Sequence, residues 1–186
     1  MASRSGIPYV SEEAAPPDLV DLIRARRGGE LLNLDRILLH SPKLASAWNS
    51  YAGVIRAHLS LPGKLRELSI MAIGVLNGSE YEWAQHEGEF LKAGGTRQQL
   101  AALKNTQGAE KDENLFDESE RATLAFTREM TRDIKVTAAT MKRVRAFLPD
   151  QQVVELAGII GWYNNVSRLL IAIGVELEGD PARRRA

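Results

Sequence analysis

From Leu68 to Leu76 nearly every residue is apolar, which reads as a helix buried on most of its sides. Glu67 stands at the start of that run, where a carboxylate has no evident structural reason to be. After an Asn77-Gly78 break a second helix begins at Ser79 and carries Glu82 and His86. These two are four apart, so their side chains lie on one helix face, one turn from each other, within reach of a carboxylate–imidazole contact. A carboxylate beside a histidine is equipment for proton transfer.

The rest of the chain is helical by the same reasoning. Pro16-Pro17 opens a helix through Leu19, Leu22 and Ile23 that stops at Gly28-Gly29. Arg24, Arg26 and Arg27 cluster at its end, where cations complement the helix dipole; a phosphate site is the competing reading. Ser41-Pro42 caps and opens a helix through Leu44, Trp48, Tyr51 and Ile55, and Ser60-Leu61-Pro62 ends it. His40 and His58, near these breaks, read as capping or core residues, with a place in a site as the competing reading. Thr96 caps a short helix to Leu103, and residues 104–114 read as a polar loop without structure. Asp117-x-x-Glu120 is a capping box before a helix with Leu124, Phe126 and Met130; Thr137 opens another, and Leu148-Pro149-Asp150 starts a long final helix to about Val175. No run alternates well enough for a strand. The expectation is an all-α protein of six to eight helices: an arm over residues 1–15, a single domain over 16–178 and a charged tail over 179–186.

Composition excludes several function classes. Lys plus Arg equals Asp plus Glu at 24 each, so no global field draws in nucleic acid or an anionic membrane. The chain has no cysteine, which removes disulfides, thiol catalysis and thiolate metal sites together. The N-terminus has no apolar stretch of signal-peptide length, and Glu12, Glu13 and Asp18 argue against a transit peptide, so a cytoplasmic location is expected. The apolar tract from Val153 to Val175 is interrupted by Glu155, Asn164, Asn165 and Arg168, which are costly in lipid, and reads as a buried core helix.

Glu67, Ser79-x-x-Glu82-x-x-x-His86 and the following Gly94-Gly95 resemble the carboxymuconolactone decarboxylase and alkylhydroperoxidase-D superfamily. In its peroxidase branch the two positions held here by Ser79 and Glu82 are a cysteine pair, so the thiol mechanism does not carry over. The resemblance is nearer to the cysteine-free branch, which often has the E-W-x-x-H form seen in Glu82-Trp83-Ala84-Gln85-His86. Leu38-Leu39-His40-Ser41-Pro42, Gly161-Trp162-Tyr163-Asn164-Asn165 and Gly174-Val175-Glu176 extend it to the flanks.

What the resemblance implies is an alkylhydroperoxidase-D-like helical domain, assembled as a trimer or a hexamer. The implied reaction is decarboxylation, or a related lyase or isomerase step, on a small carboxylated lactone or aromatic-catabolism intermediate. His86 would be the acid, Glu82 its orienting partner and Glu67 a carboxylate that tunes its protonation, with no cofactor required. Ser79 sits at a helix N-terminus, where anions are stabilised. Tyr163, Asn164 and Arg168 are expected in the substrate pocket wall, Arg168 as a bidentate partner for a carboxylate. Other readings stand beside these: Ser79-x-x-Glu82 is itself a capping box, and Arg168 suits a structural salt bridge. Glu67, Glu82 and His86 are a plausible ligand trio for a divalent metal. The chain also suits an alkylhydroperoxidase-like protein without a thiol mechanism, or a non-catalytic ligand-binding oligomer.

Overall fold

The computed structural model describes residues 2–179, so all of the expected tail except Gly179 lies outside the described residues, as does Met1 of the arm. Among the described residues ten α-helices follow one another: α1 (Pro17–Arg27), α2 (Asn33–Leu38), α3 (Pro42–Ala57), α4 (Gly63–Asn77), α5 (Glu80–Lys92), α6 (Arg97–Leu103), α7 (Thr106–Ala109), α8 (Glu118–Arg132), α9 (Ala138–Val144) and α10 (Asp150–Ile173). Eight of them have seven residues or more, and no strand occurs among the described residues beyond one isolated bridge, Ala2 to Pro8. The all-α expectation holds. The stretch 104–114 differs from its expectation by the single turn of α7, where the Asn105 side chain accepts from Gly108 N and so caps four residues that carry no apolar period.

The chain forms two compact units, one of the residues up to His58 together with those from Leu170 on, the other Leu59–Leu169. In the first, Val20, Ile23, Leu34, Ile37, Trp48 and Ile55 are buried. The arm is pinned to the chain that follows α10: Arg4 N donates to Gly174 O at 2.9 Å, Ser5 Oγ to Ile173 O at 2.7 Å, and Glu176 N to Tyr9 Oη at 3.0 Å. Backbone bonds of this kind give order to a segment too polar to bury itself.

The second unit is built around α4. Leu68, Ile70, Met71 and Ile73 are fully buried, as the continuous apolar run requires, and α5 and α8 pack against the helix. α4 stops at Gly78, whose φ of 70° is left-handed and favours glycine. Ser79 N then donates to Gly74 O at 2.8 Å, closing the helix end with a backbone bond. At the other end, Glu155 of α10 accepts from Ser60 N and Leu61 N, both at 2.8 Å, and fixes the chain just ahead of α4. Glu155 thus caps backbone amides. By length and composition α10 is apolar enough to cross a membrane; Leu156, Ile159 and Ile160 on it are fully buried, while Val154 and Ile171 are exposed. The capping boxes at Thr96–Gln99 and Asp117–Glu120 are both formed.

Candidate functional site

Glu67 lies in the second turn of α4 and His86 in the second turn of α5, and the packing of these two helices brings them together. His86 Nδ1 is 2.8 Å from Glu67 Oε2, and both side chains are almost wholly buried. The other carboxylate oxygen of Glu67 accepts from Arg66 Nε at 3.0 Å. Burial alone would push the Glu67 carboxyl up from 4.5; the hydrogen bond and charge of His86, followed by those of Arg66, outweigh it and hold the group below its ordinary value. Glu67 is therefore ionised at neutral pH, and an anion in that place fixes a proton of His86 on Nδ1, which leaves Nε2 as the ring nitrogen not bound to the carboxylate. The ring of Tyr163, on α10, stands edge-on to the imidazole with centroids 5.0 Å apart.

Ser79 and Glu82 take different parts. Ser79 is the N-cap of α5, and its Oγ accepts from Glu82 N at 3.4 Å. The return bond of a capping box is not made, because the Ser79 amide is already taken by Gly74 O. Released from capping, the Glu82 side chain turns inward and is buried against α4: a Cβ placed on Gly74 would lie 3.5 Å from Glu82 Cβ. An open cleft of about 270 Å³ runs past this point, lined by Gly74, Gly78, Ser79, Glu80, Trp83 and Lys104, among others. Lys104 Nζ stands 3.2 Å from the centre of the Trp83 ring, a cation–π contact at the edge of the cleft.

Asn164 and Arg168 are placed elsewhere than Tyr163. Asn164 Oδ1 accepts from Asn77 Nδ2 at 3.0 Å, and its Nδ2 donates to Thr131 Oγ1 and to Ile160 O, each at 3.0 Å. Asn77 Nδ2 also reaches Ser167 Oγ at 2.7 Å, so this network ties the end of α4 to α10. Arg168 donates to the Asn164 carbonyl and side chain along its own helix, and its partners are amide oxygens in place of the carboxylate of a salt bridge. Of the seven residues singled out in the sequence, the structure joins Glu67, His86 and Tyr163 in direct contact and puts Ser79 on the cleft. Sequence reasoning missed Arg66 and Lys104: the first has no periodic signal, and the second falls in the stretch read as a plain loop. Among the described residues no three His, Asp or Glu side chains are grouped so as to hold a metal ion.

Residues 42–109 match the model of the carboxymuconolactone decarboxylase family. No curated protein sequence matches the chain. Among solved structures, the alkylhydroperoxidase AhpD core of an uncharacterised peroxidase-related protein from Ralstonia eutropha JMP134 superposes with a TM-score of 0.79 at 19% identity, over 97% of this chain and 94% of that one. An uncharacterised peroxidase-related protein from Silicibacter sp. TM1040 gives 0.75 at 16% identity, over 97% and 92%. The debrominase Bmp8, as a cysteine-to-alanine variant in complex with 2,3,4-tribromopyrrole, gives 0.75 at 19% identity, over 94% and 92%. The fold is that of AhpD-like proteins, and the resemblance read from Glu67, Ser79, Glu82 and His86 is borne out by the family match over residues 42–109; a chain without cysteine is consistent with the cysteine-free branch.

Proposed function

We propose, for a chain that carries the carboxymuconolactone decarboxylase signature, an acid/base enzyme that decarboxylates or isomerises a small carboxylated lactone or ring-cleavage product. The observation that carries this reading is the buried bond between His86 Nδ1 and Glu67 Oε2 at 2.8 Å. Loss of carbon dioxide leaves an electron pair that delocalises into the lactone carbonyl and must then be protonated. An imidazolium held by an ionised carboxylate is suited to give that proton from Nε2 and to recover it from water. Glu82, one turn before His86 on α5, lies on the same helix face as the imidazole and packs beside Gly74, a residue that lines the cleft.

The cleft, at about 270 Å³, suits a small substrate. A debrominase of the same fold holds a small ring compound, tribromopyrrole, which supports a ring-shaped substrate class here. With Ser79 and Glu82 where the peroxidase branch has cysteines, the reaction needs no thiol. The test is a screen of purified protein against carboxylated lactones and aromatic-catabolism intermediates, read by ultraviolet absorbance and carbon dioxide release. His86→Gln is expected to lower turnover about 10²- to 10⁴-fold, the span of a general acid–base contribution, and Glu82→Gln to lower it less. A His86→Gln protein that turns over at the wild-type rate refutes the assignment.

A further inference from the structure

The arginines at the end of α1 carry more positive charge than the fold neutralises. Arg24 is taken up by Glu12, which also holds Arg36 at 2.6 Å. Arg26 and Arg27 converge on one carboxylate: Arg26 Nη2 is 3.0 Å from Asp35 Oδ1, while Arg27 reaches Oδ2 through Nε at 2.8 Å and Oδ1 through Nη2 at 3.0 Å. Asp35 also accepts from Leu32 N at 2.9 Å and is wholly buried, so its acceptor capacity is spent. A third guanidinium, Arg56, follows Asn49 and Gly53 on one face of α3, at helical spacings of four and three. Arg26 lies across that face, with Nε donating to Asn49 Oδ1 at 2.5 Å and Cδ 4.0 Å from where a Gly53 Cβ would stand. Arg26 feels the crowding: burial first, then the charge of Arg27, with Arg56 adding to it, push it down to about 10 against the pull of Asp35.

A cavity of about 390 Å³ opens beside these side chains, lined by Arg26, Asn49, Ser50, Gly53 and His58, among others. We propose that this cavity binds the phosphate group of a small molecule against Arg26, with Asn49, Ser50 and His58 as further polar contacts and Arg56, one turn beyond Gly53 on the same face of α3, as a second positive charge beside it. Three guanidiniums against one carboxylate leave an excess of two positive charges. A phosphate monoester, at about −1.5 to −2 near neutral pH, matches that excess, where a carboxylate brings only half of it. Guanidinium forks suit phosphate oxygens, and the volume falls at the lower end of ligand pockets, so it takes the phosphate and a small organic part. The site is independent of the His86–Glu67 reading, since all of its residues belong to the first unit.

The test titrates the full chain with inorganic phosphate against sodium chloride at equal ionic strength, by thermal unfolding and by calorimetry. Phosphate is expected to raise the unfolding midpoint saturably where chloride does not. Arg56→Gln, which removes one positive charge beside the cavity, is expected to weaken phosphate about ten-fold while folding normally in chloride. Asn49→Asp, which sets a carboxylate against Arg26 Nε, is expected to raise the midpoint in chloride and to blunt the phosphate response. Equal effects of phosphate and chloride overturn the site, as does an Arg56→Gln protein that answers phosphate like the wild type. If Arg56→Gln changes the sedimentation coefficient while phosphate shifts nothing, the arginines face acidic groups of a second copy, and the phosphate site is wrong.

Discussion

Replacing Glu67 by Gln keeps the size and an acceptor oxygen for His86 Nδ1 but removes the charge, which makes it the sharpest probe of the pair. A hydrogen bond to a charged group is worth about 1.5–3 kcal/mol and a neutral one about 1 kcal/mol, so Glu67→Gln is expected to cost on the order of 1–2 kcal/mol at pH 7. Where His86 is imidazolium the cost rises toward 3–5 kcal/mol, because a buried cation then loses its counter-ion. The Glu67→Gln/His86→Gln protein, in which both charges are gone, is expected to lose less than the two single changes summed, by about 1 kcal/mol or more. The pH dependence has a fixed sign. The Glu67 carboxyl titrates below 4.5 in the folded protein, so its stabilisation is complete above 4.5 and is lost as pH falls through the folded value. Glu67→Gln lacks that loss, and its deficit against wild type should shrink as pH falls below 4.5. Urea unfolding of the four proteins at pH 7, and of wild type and Glu67→Gln from pH 5 to pH 3, measures both quantities. Additive single changes, or a deficit that does not move with pH, refute the charged pair.

Two further outcomes follow from other parts of the structure. Asn164→Ala takes partners from Asn77 Nδ2 and Thr131 Oγ1 and is expected to cost about 1–3 kcal/mol in urea unfolding, whatever it does to turnover; an unchanged midpoint shows the network to be idle. Leu44, Tyr51 and Val54 are exposed along one face of α3 at spacings of seven and three, and we propose that this face takes part in a trimer or hexamer. Sedimentation at micromolar concentration is expected to give an oligomer for wild type and a smaller species for Tyr51→Glu, and a monomeric wild type refutes self-association.

Periodicity and capping carried most of the fold. The run from Leu68 to Leu76 announces a helix with no solvent face, and it occupies the centre of its unit; Thr96, Asp117 and Thr137 cap the helices their spacing promises. The pairing of Glu67 with His86 was legible only through the resemblance, because the two are 19 residues apart and no local rule joins them. Asn164 and Arg168 share a helix face with each other, as their spacing requires, but which neighbour that face meets depends on the packing of α10 beside the end of α4. Sequence spacing fixes a face and leaves its partner open.

Ser79 and Glu82 show the same limit at the level of a single hydrogen bond. Their spacing is that of a capping box, and a local rule gives Glu82 to the Ser79 amide. That amide has a second suitor, because Gly78 in its left-handed conformation carries the chain back over the last turn of α4 and presents Ser79 N to Gly74 O. The backbone bond wins at 2.8 Å, the serine oxygen still caps Glu82 N, and the Glu82 carboxylate is left to the interior, one turn from His86. Two helix-end motifs that overlap by one residue thus compete for one donor, and the outcome converts a capping glutamate into a buried acid beside the cleft. In Gly78→Ala the left-handed turn is strained, by about 1 kcal/mol, and the bond from Ser79 N to Gly74 O weakens with it. Glu82 would then be drawn back to the Ser79 amide. For that variant the proposed enzyme should lose turnover along with its modest loss of stability, and full turnover in a measurably destabilised Gly78→Ala protein would show that the placement of Glu82 does not depend on this competition.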